Sequence, residues 1–546
     1  MRPMIFIPAI MLVFVTSAAF SQGWTFARNA GGVGDDSGDR IAMDNEGNSY
    51  VTGVFTGTAA FGGISLTGPG KSNLYLAKYG PDHQIRWAST VAYTSAPSGI
   101  IASGIAIDNS GNTYLGGIFT KDITFDGNKR GSIGASDMYL LKLNPEGKFI
   151  WGRTPGGNNT VGQDAIAALA LDSAGNCYIT GNYDSTATFG TITVTASRAY
   201  EMFVAKYDSS GNALWVRSAG GDGTYHFGQG ISVDKAGNSY LTGRFSGGML
   251  LGQFSFVVTD GQQKAFIAKA DPEGNFLWAK QIGTGNYYGG GNDVVVDHDG
   301  KVSVCGFFRG TILLGDSTYV SNGGFTSAAL FVQYDREGEY LWSARSYRDQ
   351  ANTFAERICV DGTGTVFATG TFNGTVQFGS TSMTSPNASS NTFVVAFGSQ
   401  GVYRLVTQVA GTNGALGNGI AATGDGNCAV TGSFFDSATM GSLHLQSFGG
   451  LDMFVAGFSL KGASVDNPEG RPTTGLMLYP NPASDIVRLN GAELQGRVEI
   501  FSIDGVRRLA TDNTENIDIS ALPDGTYFLH AGGDVCKLIK IGSSSK

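Results

Sequence analysis

Residues Asp44–Phe55 read DNEGNSYVTGVF, and the chain writes nearly the same dozen letters again in DNSGNTYLGGIF, DSAGNCYITGNY, DKAGNSYLTGRF, DHDGKVSVCGFF, DGTGTVFATGTF and TGDGNCAVTGSF. The turn positions are Asp44 with Gly47, Asp108 with Gly111, Asp172 with Gly175, Asp234 with Gly237, Asp297 with Gly300, Asp361 with Gly364, and finally Gly426. Successive turn glycines lie 64, 64, 62, 63, 64 and 62 residues apart. So regular a period marks stacked copies of one supersecondary unit.

Each unit reads as strands joined by turns. RIAMD (40–44) is a short apolar first strand. Asp-x-x-Gly-Asn is a tight turn, in which Asp opens the turn and Gly takes the left-handed position. SYVTGVF is rich in β-branched and aromatic residues, as a second strand should be. A long variable segment containing Phe-Gly or Leu-Gly follows, then LYLAKYG (74–80) as a third strand, a second turn, and a fourth strand carrying Trp. Four antiparallel strands per unit, with no 3.6-residue periodicity, predict the blades of a propeller and exclude helical solenoids.

The fourth-strand tryptophans are Trp87, Trp151, Trp215, Trp278 and Trp342, with Leu405 in that place in the sixth copy. The seventh copy ends at MFVAGFSLKGAS without a fourth strand. Near the N-terminus stands WTFARNAGG, whose Trp24 precedes Trp87 by 63 residues, one repeat length. The expectation is an all-β fold: a seven-bladed propeller of four-stranded antiparallel blades, closed by the N-terminal strand. All six tryptophans are then expected in one structural slot.

Composition agrees. The chain has 546 residues, 82 of them Gly, with only 15% charged, which suits short strands and tight turns. A net charge of -9 argues against a nucleic-acid partner, which would need a basic footprint. MRPMIFIPAIMLVFVTSAAFSQG has a positive start, a short apolar core and small residues before Ser21: a secretory signal over 1–21. Cys177, Cys305, Cys359, Cys428 and Cys536 include no Cys-x-x-Cys pair, so small buried strand residues are expected rather than a zinc site or a disulfide framework.

The Asp-x-x-Gly-Asn-x-Tyr-Val-Thr-Gly-x-Phe motif and the Phe-Val-Ala-Lys-Tyr-Asp-x-x-Gly-x-x-x-Trp string resemble the bacterial β-propeller repeats called SBBP repeats. The later copies drift: Lys301 and Thr365 replace Asn, Thr423 replaces Asp, and Ala396 and Gly457 replace Lys. The resemblance covers residues 24 to about 461, within an expected propeller domain of 22–461.

Residues 462–475 are polar, contain Pro and Gly, and fall off the period, so they read as a linker. Residues 476–546 then alternate as strands with Asp-Gly turns, predicting a small immunoglobulin-like β-sandwich of about seven strands. Tyr479-Pro480-Asn481-Pro482, the Asp-Gly turn at Gly505, and the stretch holding Leu522, Gly525 and Tyr527 resemble the type A C-terminal sorting domain of type IX secretion substrates. That resemblance implies a Bacteroidota-type cell, the type IX machinery as a partner, and a product that is secreted or held at the outer surface.

Strand order places the second-to-third and fourth-to-first loops on one face. These loops vary, and variable loops on a rigid scaffold carry recognition. They are expected to bring Asp35, Asp36, Asp39, Asp164, Tyr225, His226, Tyr287, Tyr288, Arg348 and Asp349 to one rim. Tyr with Gly and Asn suits adaptable recognition. The expected activity is therefore non-enzymatic: a monomeric module binding a surface protein or glycan. The second reading is a secreted hydrolase or lyase acting on a polymer, with rim carboxylates and His226 as acid and base and Asp222 as orienter. Catalytic motifs are otherwise absent, with no His-Glu-x-x-His, Gly-x-Ser-x-Gly or Gly-Lys-Ser/Thr. No cofactor is expected. Calcium is the one candidate metal, at the acidic loop Asp35, Asp36, Asp39 rather than at the repeat turns, which supply few carboxylates.

Overall fold

The computed structural model describes residues 23–460, apart from 98, 158–162, 199, 322–325, 348–350 and 425, and within the tail 477–479, 483–490, 498–502, 506–511, 516–531 and 534–540. The leader at 1–21 and the linker at 462–475 lie outside the described residues. The chain divides into two compact units, one spanning Gln22–Lys461 and the other containing Gly462–Lys546. Both are built of antiparallel sheet, and the described residues contain no α-helix.

Within the repeat unit, Arg40–Met43 pairs with Ser49–Phe55, which pairs with Ser72–Tyr79, which pairs with Ile85–Thr94. The later copies repeat this order. The motif letters each have a reason. The Asp44 carboxylate accepts the amides of Glu46 and Asn48 at 3.0 and 2.9 Å and the Asn48 side chain at 2.7 Å, so the turn satisfies itself. The motif Tyr and the third-strand Lys form a pair: Lys142 Nζ lies 4.7 Å over the Tyr114 ring and 3.5 Å from Asp108. Where Lys is lost, at Gln333, Ala396 and Gly457, the Tyr position holds Ser303, Phe367 and Ala429, so the two drift together. The motif Thr donates to a third-strand carbonyl, as Thr242 does to Phe266 at 2.6 Å.

The motif Gly answers a bulge. Each first strand from the second copy on slips register, as between Gly228 and Gly230, and pushes a carbonyl at the facing strand. A Cβ on Gly243 would sit 1.9 Å from the Phe227 carbonyl oxygen, so only Gly fits.

The long variable segment holds structure that the strand reading did not anticipate. Thr58–Phe61 and Ile64–Thr67 form a hairpin whose two-residue turn places Gly62 at φ 60. That positive φ is why Gly follows Phe. The hairpin does not extend its own unit. It pairs with the end of the preceding fourth strand: Tyr93↔Thr124, Gly156↔Thr188, Gly220↔Leu250, Thr284↔Leu313, Ser346↔Phe378 and Ala410↔Thr439. Gly31↔Ala60 repeats the same contact between the N-terminal strand and the first copy's hairpin.

Trp24–Gly32 pairs antiparallel with Asp452–Ser459, the third strand of the seventh copy. The first strands pack side by side through the series, and Arg40–Met43 packs on Ile100–Ile107 and on Ala415–Ala422.

The expectation of one slot for all tryptophans is corrected. Trp87, Trp151, Trp215 and Trp278 pair with Lys78, Lys142, Lys206 and Lys269. In the seventh copy the partner of the equivalent Gly457 is Phe26, while Trp24 lies opposite Phe458. Phe26 also stacks on His83 of the next turn at 3.7 Å, as the other tryptophans lie against turn glycines such as Gly211 under Trp151. Counting back from Gly-Gly explains it: FARNAGG, not WTFARNA, aligns with WGRTPGG. Trp24 instead packs edge-on against Phe458 and donates to Thr407 at 3.1 Å.

The described residues of the tail form two sheets. Met477–Tyr479, Ile486–Asn490 and Ile517–Asp518 form one; Arg507–Thr511, Val498–Ser502, Gly525–Ala531 and Asp534–Lys540 form the other. Val487, Ile500, Ile517, Leu529 and Leu538 make a shared core.

Candidate functional site

Neighbouring variable loops bond to one another. Thr56 donates to Asp36 at 3.0 Å, Asp184 to Asp164 at 3.0 Å, and Asn352 to Asn373 at 2.8 Å, each joining a fourth-to-first loop to the second-to-third loop of the following strands. Those bonds also explain why several expected rim residues are not available to a ligand. Asp36, Asp164, His226 and Tyr287 are all buried, at 2%, 0%, 0% and 1% exposure. Asp36 and Asp164 tie loops together. Burial pushes the Asp36 carboxyl up to about 6, against the lowering effect of the Thr56 and Gly32 amides, and Asp452 and Asp35 add repulsion. Tyr287 is a core residue whose hydroxyl donates to the Ile282 carbonyl at 2.6 Å.

The His226–Asp222 reading is corrected in the same way. His226 Nε2 donates to the Gly248 carbonyl at 2.8 Å, and Asp222 accepts the Gly248 amide at 2.5 Å. Both side chains are spent on the backbone of Gly248, and the imidazole is buried. Asp39 is half-buried, with its carboxyl raised by burial against hydrogen bonds from Ser37 and Ala102. Asp35 is exposed, and its carboxylate accepts the Leu451 amide at 3.2 Å. Arg348 and Asp349 lie outside the described residues. Among the described residues no group of three or more His, Cys, Asp or Glu is arranged to hold a metal ion. Cys177, Cys305 and Cys428 are buried and Cys359 half-buried, all as free thiols; the side chain of Cys536 lies outside the described residues.

What the face does present is aromatic. Tyr225, 41% exposed, stacks with Tyr200 at 6.2 Å and with Phe227 at 6.0 Å. Arg244 lies over the Phe227 ring at 5.3 Å. Gly290 lies between Arg244 and Phe307, and a Cβ there would be in ordinary contact with both at 3.4 Å. Phe307 then meets Tyr288 at 5.8 Å and Phe354 at 5.2 Å, and Arg309 covers Tyr288 at 5.0 Å. Of the expected rim, Tyr225 and Tyr288 belong to this run; Tyr200, Phe227, Arg244, Phe307, Arg309 and Phe354 were missed. The signal was present in the motif: Arg244 and Phe307 are the variable x of Thr-Gly-x-Phe and its counterpart Cys-Gly-x-Phe. Successive strand residues face opposite ways. The x residue therefore points away from the buried Phe beside it.

The tail was compared with known families. Residues 477–540 match the secretion system C-terminal sorting domain. A sorting domain of this kind directs export by type IX secretion, to the cell surface or beyond, and implies contact with that machinery. Of its expected motif, Leu522 and Tyr527 are buried, and Tyr527 donates to the Pro523 carbonyl at 2.8 Å. Gly525 opens a strand, and Tyr479 ends one. Pro480, Asn481, Pro482 and Gly505 lie outside the described residues. The repeats are similar to an uncharacterized WD repeat-containing protein of Acanthamoeba polyphaga mimivirus, 23% identical over 410 residues, 61% of this chain. The matched region spans only 29% of that relative's length. Among solved structures, a puromycin hydrolase is 11% identical, with 75% of this chain and 52% of that one covered at a TM-score of 0.40. A protein of unknown function from Dyadobacter fermentans is 10% identical, with 79% and 99% covered at a TM-score of 0.34.

Proposed function

We propose that residues 22–461 form a seven-bladed β-propeller of the SBBP type, exported by the type IX route, that binds a glycan on the face carrying the variable loops. Three features support closure by the N-terminal strand: its pairing with Asp452–Ser459, the Gly31↔Ala60 contact, and the packing of Arg40–Met43 on Ala415–Ala422. The signal over 1–21 fits the same route.

The observation that carries the binding reading is a pair of aromatic clusters, stacked Tyr200–Tyr225–Phe227 and tilted Tyr288–Phe307–Phe354, flanked by Arg244 and Arg309. Aromatic faces with a polar tip present a large, rigid contact area at low entropic cost. Sugar rings offer the matching apolar C–H faces and hydroxyls for Arg244 and Arg309.

Glycan-array binding by the wild-type chain, followed by titration of the best ligand, tests this. Tyr225→Ala is expected to lower affinity about fivefold, the loss of one stacking contact of roughly 1 kcal/mol. Its thermal midpoint should hold, since the ring is exposed. Binding to a surface protein and to no glycan would replace the ligand class. Binding unaffected by Tyr225→Ala and Phe227→Ala would remove the site.

A further inference from the structure

The first strands of the repeats enclose a cavity of about 210 Å³ that water can enter, apart from the aromatic face. One level of its wall lies just past the bulge. In the second, third and seventh copies that level is Gly104, Ala168 and Gly419, small residues at which the neighbouring first strands come close: a Cβ on Gly104 would lie 2.9 Å from Leu169 and one on Gly419 3.1 Å from the Ile41 nitrogen. In the first and sixth it is Arg40 and Arg357, and in the fifth Asp293.

Neither arginine forms an ion pair among the described residues. Arg40 Nε donates to the Ser103 carbonyl at 2.8 Å, and one terminal nitrogen donates to the Asp39 and Asn418 carbonyls at 2.7 and 3.1 Å. This fixes the guanidinium and leaves its other terminal nitrogen without an acceptor among the described residues. Arg357 donates once, to the Glu356 carbonyl at 2.7 Å. The two positive charges also repel: burial, then the charge of Arg357, pull Arg40 down to about 9.

The nearby carboxylates are Asp39, Asp293 and Glu356. Asp293 accepts the amides of Val294 at 2.9 Å and Ile358 at 3.2 Å, so its oxygens are turned to backbone. Asp39 is likewise bonded to Ser37 and the Ala102 amide.

We propose that this cavity binds a small oxyanion, a carboxylate or a phosphate, held between Arg40 and Arg357. Guanidinium groups match the planar, two-oxygen edge of such anions, and the contact is strongest where water is scarce. The bound anion would lie between two like charges, with Asp293, whose carboxyl feels the charge of Arg357, on the same wall. This proposal does not rest on the glycan reading.

The test uses the full chain in calorimetry and thermal melts with sodium phosphate and, separately, sodium succinate, each against sodium chloride of equal ionic strength. A saturable rise in midpoint and measurable heat with one of them are expected, and which salt acts tells phosphate from carboxylate. Arg357→Gln, which loses a single backbone contact, should weaken binding at least tenfold while keeping the circular-dichroism spectrum. No effect beyond chloride from either salt, or wild-type affinity in Arg357→Gln, would overturn the site. If that variant does not fold, nuclear magnetic resonance on the wild type decides. Broadening of the phosphorus line, or of the succinate methylene proton line, that excess unlabelled competitor relieves supports the site. Unbroadened lines for both ligands sink it.

Discussion

A buried carboxylate in a loop is a choice between tying the loop and keeping its charge, and Asp36 shows how that choice resolves. One oxygen accepts the Thr56 amide, while the other is buried without a hydrogen-bond partner. Its folded-state pKa of about 6 stands above the ordinary 3.8. The folded protein therefore keeps a proton that the unfolded chain has lost, so this contribution is full below pH 3.8 and disappears as pH rises through 6. Asp36→Asn should remove that part of the decline. We expect the variant to be more stable than wild type by about 1–2 kcal/mol at pH 7.5, part of the full shift, and to match wild type near pH 4. Denaturant unfolding at the two pH values checks this; a variant less stable at both would mean that the carboxylate charge itself is needed.

Strands and turns were legible in the sequence because each motif letter has a local cause. Asp44 caps its own turn, Gly243 clears a carbonyl, and Thr242 bonds its neighbour strand. The hairpin at Thr58–Thr67 was not legible as a bridge, since its partner is a strand written one repeat earlier and only Gly31↔Ala60-type contacts reveal it. The rim residues failed for a related reason. Asp164 and His226 are polar letters in a loop, but loops that bond each other bury their polar groups. Trp24 misled because tryptophan is conspicuous, while the spacing to Gly31-Gly32 was the better ruler. The register makes the correction testable. Phe26, 8% exposed, fills the Trp slot, and its ring is so close to Gly457 that a Cβ there would lie 2.0 Å away. Phe26→Ala should cost about 3–4 kcal/mol. Trp24→Ala, at a half-buried edge, should cost about 1–2 kcal/mol. Equilibrium unfolding of the two variants gives the order; a costlier Trp24→Ala would return the indole to the shared slot.

At the scale of the whole molecule, stability depends on how the two ends of the repeat domain meet. A row of sheets with free ends would leave the edge of Asp452–Ser459 unpaired, together with the apolar surface of Met453 and Val455, and an open edge invites pairing with another chain. Trp24–Gly32 covers that edge and reaches the hairpin at Ala59 and Ala60, so one short segment joins the seventh copy to the first. The joint is also made of side chains: a Cβ on Gly38 would lie 2.4 Å from Thr431 Oγ1, just as one on Gly228 would lie 2.2 Å from Thr180 Oγ1 between the third and fourth copies. The Gly38–Thr431 contact is thus of the same kind as the Gly228–Thr180 contact within the series. Deleting Trp24–Gly32 should lower the thermal midpoint by on the order of 10 °C, the combined effect of a lost strand and a lost aromatic. The truncated chain should also associate through its bare edge. Adding the peptide WTFARNAGG in excess should restore part of the midpoint by mass action, since it binds the folded state alone. Closure by this strand predicts both the loss and the rescue; a truncated chain that melts like the full one would refute it.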